Sequence, residues 1–120
     1  EEAVGPTLVC GWSFGAAVAL REAITDERVA GLALIGLSLD PGDIDIPPIP
    51  GPAELRMFRR PALLLAGEGD VYCPRPRLEA LGTRLPEAEV AIVAGTDHFF
   101  WRREKEVAEI VGAFAARLLG

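Results

Sequence analysis

The sequence predicts an α/β fold: a three-layer sandwich in which helices cover both faces of a short parallel sheet of about four strands. Three apolar runs of strand length, at 29–37, 62–66 and 89–94, contain almost no polar residues. Such unbroken runs are typical of strands that are buried on both faces. Segments with a helical pattern alternate with these runs, and that alternation predicts parallel strands joined by helices.

The remaining elements complete the alternation. A short apolar segment at 7–10 predicts the first strand, and the alanine-rich segment at 14–24 predicts the helix after it. Further helices are predicted at 76–85 and 102–119. In the last of these, apolar residues recur at the spacing of one helical face.

The segment 38–61 interrupts the alternation. It holds six of the chain's ten prolines, and proline lacks the backbone donor that strands and helices need. One or two helical turns are expected only in its "AELRMFRR" portion. A connection this long is either a solvated linker or a functional loop. Ile44, Ile46 and Ile49 favour a loop that covers an apolar surface. We predict one domain over residues 1–120 with this loop inside it.

Composition excludes several classes of function. The 120 residues include 18 acidic and 12 basic side chains, a net charge of −6, so nucleic acid and anionic membranes are not expected partners. One histidine and no CxxC motif predict no metal site. The two cysteines are no disulfide framework, and Cys10 is predicted in the core. No apolar stretch reaches membrane-spanning length, the acidic start predicts no signal peptide, and a cytoplasmic location is expected.

The stretch "GWSFG" places a serine between two glycines, where an apolar strand meets a helix. This segment is interpreted either as an ordinary turn or as the site of a serine nucleophile. Glycines at 11 and 15 would let the chain turn sharply, with Ser13 exposed at the apex. The amide of Phe14, at the start of the helix, would then face a developing negative charge as part of an oxyanion hole.

Two further segments supply an acid and a base. Asp70 lies in "GEGDVYCP" after the run at 62–66, and His98 lies in "GTDHFF" after the run at 89–94. Taken alone, Asp70 is more readily interpreted as a turn residue, and His98 as a structural histidine. Asp97 is a poorer acid candidate, because sequence neighbours rarely align their side chains. Loops at the carboxyl ends of parallel strands gather at one rim, so Ser13, Asp70 and His98 together predict a nucleophile, its acid and its base.

These three segments resemble the α/β-hydrolase superfamily. "GEGDVYCP" fits its G-x-x-D-x-x-x-P pattern and "GTDHFF" its Gly-x-x-His pattern, and the closest similarity is to small, lidless, dienelactone-hydrolase-like esterases. The resemblance implies Ser13 as nucleophile, Asp70 as acid and His98 as base. It covers the chain from residue 7 onward but only the C-terminal half of the family's fold, a truncated α/β-hydrolase fold.

The missing half has two implied consequences. In the family it carries the second oxyanion-hole amide, so only the Phe14 amide is assignable here. Its absence also leaves the strand at 7–10 as an open apolar edge, and such edges favour pairing. We therefore expect a homo-oligomer, with a two-fold dimer favoured.

Two functions follow. The first is a serine hydrolase that cleaves carboxylic esters, with short acyl chains favoured, through an acyl-enzyme and without a cofactor. Trp12, Tyr72 and Phe99 are the predicted substrate-binding residues, although residues such as Trp12 and Phe99 more often belong to a core. The second is a non-catalytic interaction module, or one half of a split or longer hydrolase.

Overall fold

The computed structural model describes residues 7–39 and 48–119. Four strands alternate with four helices along this part of the chain. In chain order they are β1 (Thr7–Trp12), α1 (Phe14–Thr25), β2 (Val29–Ile35), α2 (Pro52–Met57), β3 (Ala62–Gly67), α3 (Arg75–Gly82), β4 (Ala88–Val93) and α4 (Glu104–Leu119).

All four strands lie parallel in one sheet, in the order β1-β2-β3-β4. The register brings their carboxyl ends to one rim: Trp12 is paired with Ile35, and Gly67 with Val93. The segment after each strand therefore starts from the same edge of the sheet. The predicted α/β class with a short parallel sheet is confirmed.

Side chains of the central strands alternate between two apolar cores. In β3, Ala62, Leu64 and Ala66 join the core that includes α1 and α3 residues, whereas Leu63 and Leu65 join the core beneath α4. Every residue of β3 is buried. The sheet is thus covered by helices on both faces, which makes three layers. Truncating one of these leucines to alanine would cost about 2–5 kcal/mol of stability.

The two outer strands differ from the expectation that each apolar run is buried on both faces. In β4 only Val93 is buried, and β1 has no fully buried residue. Cys10, predicted as a core residue, is exposed. The physical reason is position in the sheet: within the described residues β1 has one neighbouring strand, so its side chains lack cover on the open side.

The proline-rich segment is described in part. The expected helical turns are present as α2, which begins at a proline; Leu55 within it and Phe58 directly after it are buried. Residues 40–47, including Ile44 and Ile46, lie outside the described residues, so their covering role stays a prediction. Within 7–39 and 48–119, none of the helices has both the length and the apolar character that a bilayer crossing requires.

Candidate active site

A sharp, strained turn presents Ser13 at the rim of the sheet. Ser13 is the single residue between β1 and α1, and its backbone adopts φ 56° and ψ −118°. A positive φ is uncommon for a residue with a side chain. The turn is held from both sides: the Ser13 amide donates to the Ile35 carbonyl at 2.9 Å, and the Ser13 carbonyl accepts from the Ala16 amide at 3.0 Å.

The two glycines of the turn are not equivalent. A Cβ placed on Gly11 would lie 2.4 Å from the Gly15 carbonyl oxygen and 2.7 Å from Ala16 Cα, so strand and helix pass too close for any side chain. A Cβ on Gly15 would meet nothing within 4 Å. The turn therefore requires glycine at position 11, whereas the described residues leave room for a side chain at position 15.

Asp70 is buried in the loop after β3, and its carboxylate is fully engaged. Oδ1 accepts the backbone amides of Tyr72 at 2.9 Å and Cys73 at 3.0 Å. Oδ2 lies 2.8 Å from Nδ1 of His98. The two amides orient the carboxylate so that its second oxygen faces the imidazole.

The structure brings the predicted base between the predicted acid and nucleophile. Nε2 of His98 lies 2.8 Å from Oγ of Ser13, while Nδ1 faces Asp70. Because a carboxylate only accepts, the geometry assigns the ring proton to Nδ1 and leaves Nε2 free to accept from Ser13. Asp97 instead binds locally, its Oδ1 accepting the Phe99 amide at 2.9 Å. The preference for Asp70 over Asp97 agrees with this geometry.

Three aromatic residues predicted as substrate-binding surround the His98 ring. The ring centroids of Trp12, Tyr72 and Phe99 lie 5.3, 5.0 and 5.3 Å from that of the imidazole. Trp12 also donates from Nε1 to the His98 carbonyl at 3.2 Å. Trp12 and Phe99 are about half exposed, at 48% and 53%, so neither is a core residue. Their contacts hold the imidazole in place.

These rings also line a cavity of about 200 Å³ at Ser13. Its lining residues are Trp12, Ser13, Ser38, Tyr72, His98 and Phe99. A larger depression of about 390 Å³, lined by residues that include Glu68, Asp97 and Trp101, contains neither Ser13 nor His98. The predicted nucleophile and base therefore both line the smaller cavity.

Ser38 is a site residue that the sequence analysis missed. It lies shortly after β2, is buried, and places Oγ 3.3 Å from Oγ of Ser13. The available signal was its position: like Asp70 and His98, it is a polar residue just beyond an apolar strand. Its position at the start of the proline-rich segment 38–61 makes it resemble an ordinary loop residue.

Gly36 leaves room for the acid and base to meet. Its φ is 58°, and an added Cβ would lie 3.3 Å from His98 Nδ1 and 3.4 Å from Asp70 Oδ2. Its amide donates to the Leu65 carbonyl at 2.7 Å. A side chain at this position would be strained by the backbone angle and would crowd the hydrogen bond between Asp70 and His98.

The predicted oxyanion donor is the backbone amide of Phe14, the first residue of α1. Within the described residues this amide has no hydrogen-bond acceptor, as is usual in the first turn of a helix. It is therefore open to an incoming oxygen. No second donor is assigned.

A buried thiol beside the acid does not compete with Ser13. Cys73 is fully buried, and burial together with the negative charge of Asp70 raises the pKa of its thiol to about 12. The thiol is therefore protonated at neutral pH, and a protonated thiol is a poor nucleophile.

Comparison with known proteins identifies solved structures that share the fold of this chain. No protein-family model and no curated protein matches the sequence. Among solved structures, the chain is similar to a CIB-like hydrolase of Thermoplasma acidophilum, with TM-score 0.78 and 17% identity over 96% of this chain and 53% of that one. Est1E of Butyrivibrio proteoclasticus gives 0.78 and 17%, over 96% and 62%. CarC, a serine hydrolase of carbazole degradation, gives 0.80 and 15%, over 97% and 66%.

The chain thus spans between about half and two thirds of the length of these structures. At such low identity the likeness concerns the fold, and the partial coverage agrees with a partial fold. The described residues have the α/β-hydrolase fold over the part of it that the chain spans.

Proposed function

We propose that the chain is a serine hydrolase that cleaves carboxylic esters. The observation that carries the proposal is the line of two 2.8 Å contacts from Ser13 Oγ through the His98 imidazole to the Asp70 carboxylate. A serine hydroxyl is a weak nucleophile unless a neighbouring base takes its proton, and the base needs a group that orients it and stabilises its charged form. The site supports each of these needs with one residue.

The proposed reaction has two halves. Ser13 Oγ attacks the acyl carbon as His98 Nε2 takes its proton, and the Phe14 amide binds the oxyanion. His98 then gives the proton to the leaving alcohol, and an acyl-enzyme remains on Ser13. A water molecule then attacks the acyl carbon as His98 Nε2 takes its proton. Ser13 Oγ leaves with that proton, and the carboxylic acid product is released. Asp70 keeps the imidazole oriented throughout.

The cavity favours a small acyl group. Its volume of about 200 Å³ is below the range of about 300–1,000 Å³ that accommodates drug-sized ligands. Trp12, Tyr72 and Phe99 give it an apolar wall. Short-chain esters therefore fit the site better than long acyl chains.

The second candidate is a non-catalytic module, or one half of a split or longer hydrolase. It is favoured by the coverage of 53–66% of the similar structures and by the single oxyanion donor found among the described residues. Loss of one such donor typically lowers a rate by about 10²–10³-fold. Under this alternative the triad geometry is present but turnover needs the remaining part of the fold.

Labelling with a fluorophosphonate probe, together with p-nitrophenyl acetate hydrolysis, tests the proposal. Purified protein should be labelled at Ser13, and the label should disappear in Ser13→Ala and be suppressed in His98→Ala. Asp70→Asn should lower the rate by about 10⁴-fold, since an amide no longer holds the required tautomer. Asp97→Asn is the matched control and should react normally, because its oxygen still accepts the local amide. A folded chain that is never labelled would support the second candidate.

A further inference from the structure

Ser38 is a buried hydroxyl whose only hydrogen-bond partner among the described residues is the proposed nucleophile. Its exposed fraction is 6%, and its Oγ lies 3.3 Å from Ser13 Oγ. It also lines the cavity in which an ester would bind. Burying a hydroxyl without a hydrogen-bond partner destabilises the folded protein. Ser38 is therefore expected to hydrogen-bond to whichever acceptor lies within its reach.

The direction of the contact follows from the neighbouring groups. Ser13 has one hydroxyl proton, and the imidazole nitrogen that faces it at 2.8 Å is the one left free to accept. Ser38 is then the donor and Ser13 Oγ the acceptor. The separation of 3.3 Å exceeds the 2.5–3.0 Å of a good hydroxyl–oxygen hydrogen bond. The bond is therefore weak in the free protein, and the Ser38 hydroxyl is available to a better acceptor.

The water that attacks during deacylation is such an acceptor. Once Ser13 Oγ becomes an ester oxygen it accepts hydrogen bonds poorly. The attacking water must then lie close to both the acyl carbon on Ser13 and Nε2 of His98. That position is beside the atom that Ser38 already contacts.

We propose that Ser38 is a positioning residue that holds the oxygen exchanging a proton with His98. This oxygen is Ser13 Oγ before acylation and the attacking water afterwards. During deacylation the water oxygen bonds to the acyl carbon as its proton passes to His98 Nε2. The tetrahedral intermediate then expels Ser13 Oγ, which takes that proton back. Ser38 keeps its own proton throughout. This inference rests on the proposed hydrolase function.

The test separates acylation from deacylation in Ser38 variants. With p-nitrophenyl acetate, a rapid burst of nitrophenol reports acylation of Ser13 and the later steady rate reports deacylation. Ser38→Ala should retain a burst but lower the steady rate about tenfold, the effect of one hydrogen bond of ordinary strength. Ser38→Thr, which retains the hydroxyl, should restore the steady rate. Ser38→Cys fills the same space with a weak donor and should behave like Ser38→Ala, which keeps the test valid if the alanine variant does not fold.

Thr96→Val is the control for loss of a buried hydroxyl. Oγ1 of Thr96 is buried without a hydrogen-bond partner among the described residues and does not line the cavity at Ser13. The ratio of burst to steady rate should be unchanged in this variant. A merely structural role for Ser38 would leave that ratio unchanged as well.

Two results would overturn the inference. One is a Ser38→Ala protein with the normal steady rate; the other is an equal loss of burst and steady rate that tracks a loss of stability. Failure of the proposed function is distinguishable, because unsubstituted protein would then show neither a burst nor fluorophosphonate labelling at Ser13.

Discussion

The sharpest prediction concerns the two glycines that flank the nucleophile. Gly11→Ala and Gly15→Ala add the same methyl group on either side of Ser13, yet their surroundings differ. At Gly11 the methyl would meet backbone atoms, which cannot rotate away. At Gly15 it would point into open space on a helix. Each variant therefore serves as the control for the other, and we expect the two substitutions to change the free energy of unfolding in opposite directions.

The magnitudes follow from the distances. At Gly11 the separation from the Gly15 carbonyl oxygen must grow from 2.4 Å to the 3.4 Å at which ordinary contact begins, a shift of about 1 Å between β1 and α1. Overpacking of this kind costs about 1–3 kcal/mol of the free energy of unfolding. A displacement of about 1 Å at a reacting group lowers its rate by about 100-fold. Gly15→Ala should instead stabilise the protein by less than about 1 kcal/mol, because alanine favours a helix more than glycine does but position 15 lies in the first turn.

Urea unfolding and the rate of fluorophosphonate labelling measure the two effects. We expect Gly11→Ala to lose both stability and labelling, and Gly15→Ala to gain stability and label at the normal rate. The reasoning would be refuted if Gly11→Ala labelled as fast as the unsubstituted protein, or if the two variants behaved alike.

Three further predictions concern other parts of the structure. Gly36→Ala should destabilise the protein by about 1–2 kcal/mol through its positive φ and slow labelling, because the new methyl crowds His98 and Asp70; normal unfolding and labelling would contradict this. Iodoacetamide at pH 8.5 should alkylate exposed Cys10 but not Cys73, whose buried thiol has a pKa raised to about 12. The intact mass should show one adduct in native protein and two in urea. Two adducts in native protein would exclude the burial of Cys73. The predicted homodimer should give a light-scattering mass twice that of one chain at micromolar concentration, and the mass of a single chain would rule it out.

Much of the site was predictable because its signals are local. Asp70 and His98 each follow an apolar run, and GWSFG lies between a strand pattern and a helix pattern. The carboxyl ends of parallel strands converge, so the strand order did not have to be known for these residues to be expected at one rim. Their catalytic roles stay predictions that the labelling experiments test.

Two other features could not be predicted from the sequence. Ser38 could not be distinguished from an ordinary loop residue, because its significance is a 3.3 Å separation from Ser13 that depends on how β1 and β2 align. The exposure of Cys10 depends on β1 being an outer strand, and an apolar run looks the same at the edge and at the centre of a sheet.

The sequence by itself determined the α/β alternation and the expectation that Ser13, Asp70 and His98 lie at one rim of the sheet, since hydrophobic periodicity and strand-end position are properties of neighbouring residues. Only the tertiary structure decided which hydroxyl faces Ser13, which aromatic rings enclose His98 and which glycine of the turn is required. Those outcomes depend on distances between segments far apart in the chain, and such distances are set by packing between elements rather than by the local pattern of any one of them.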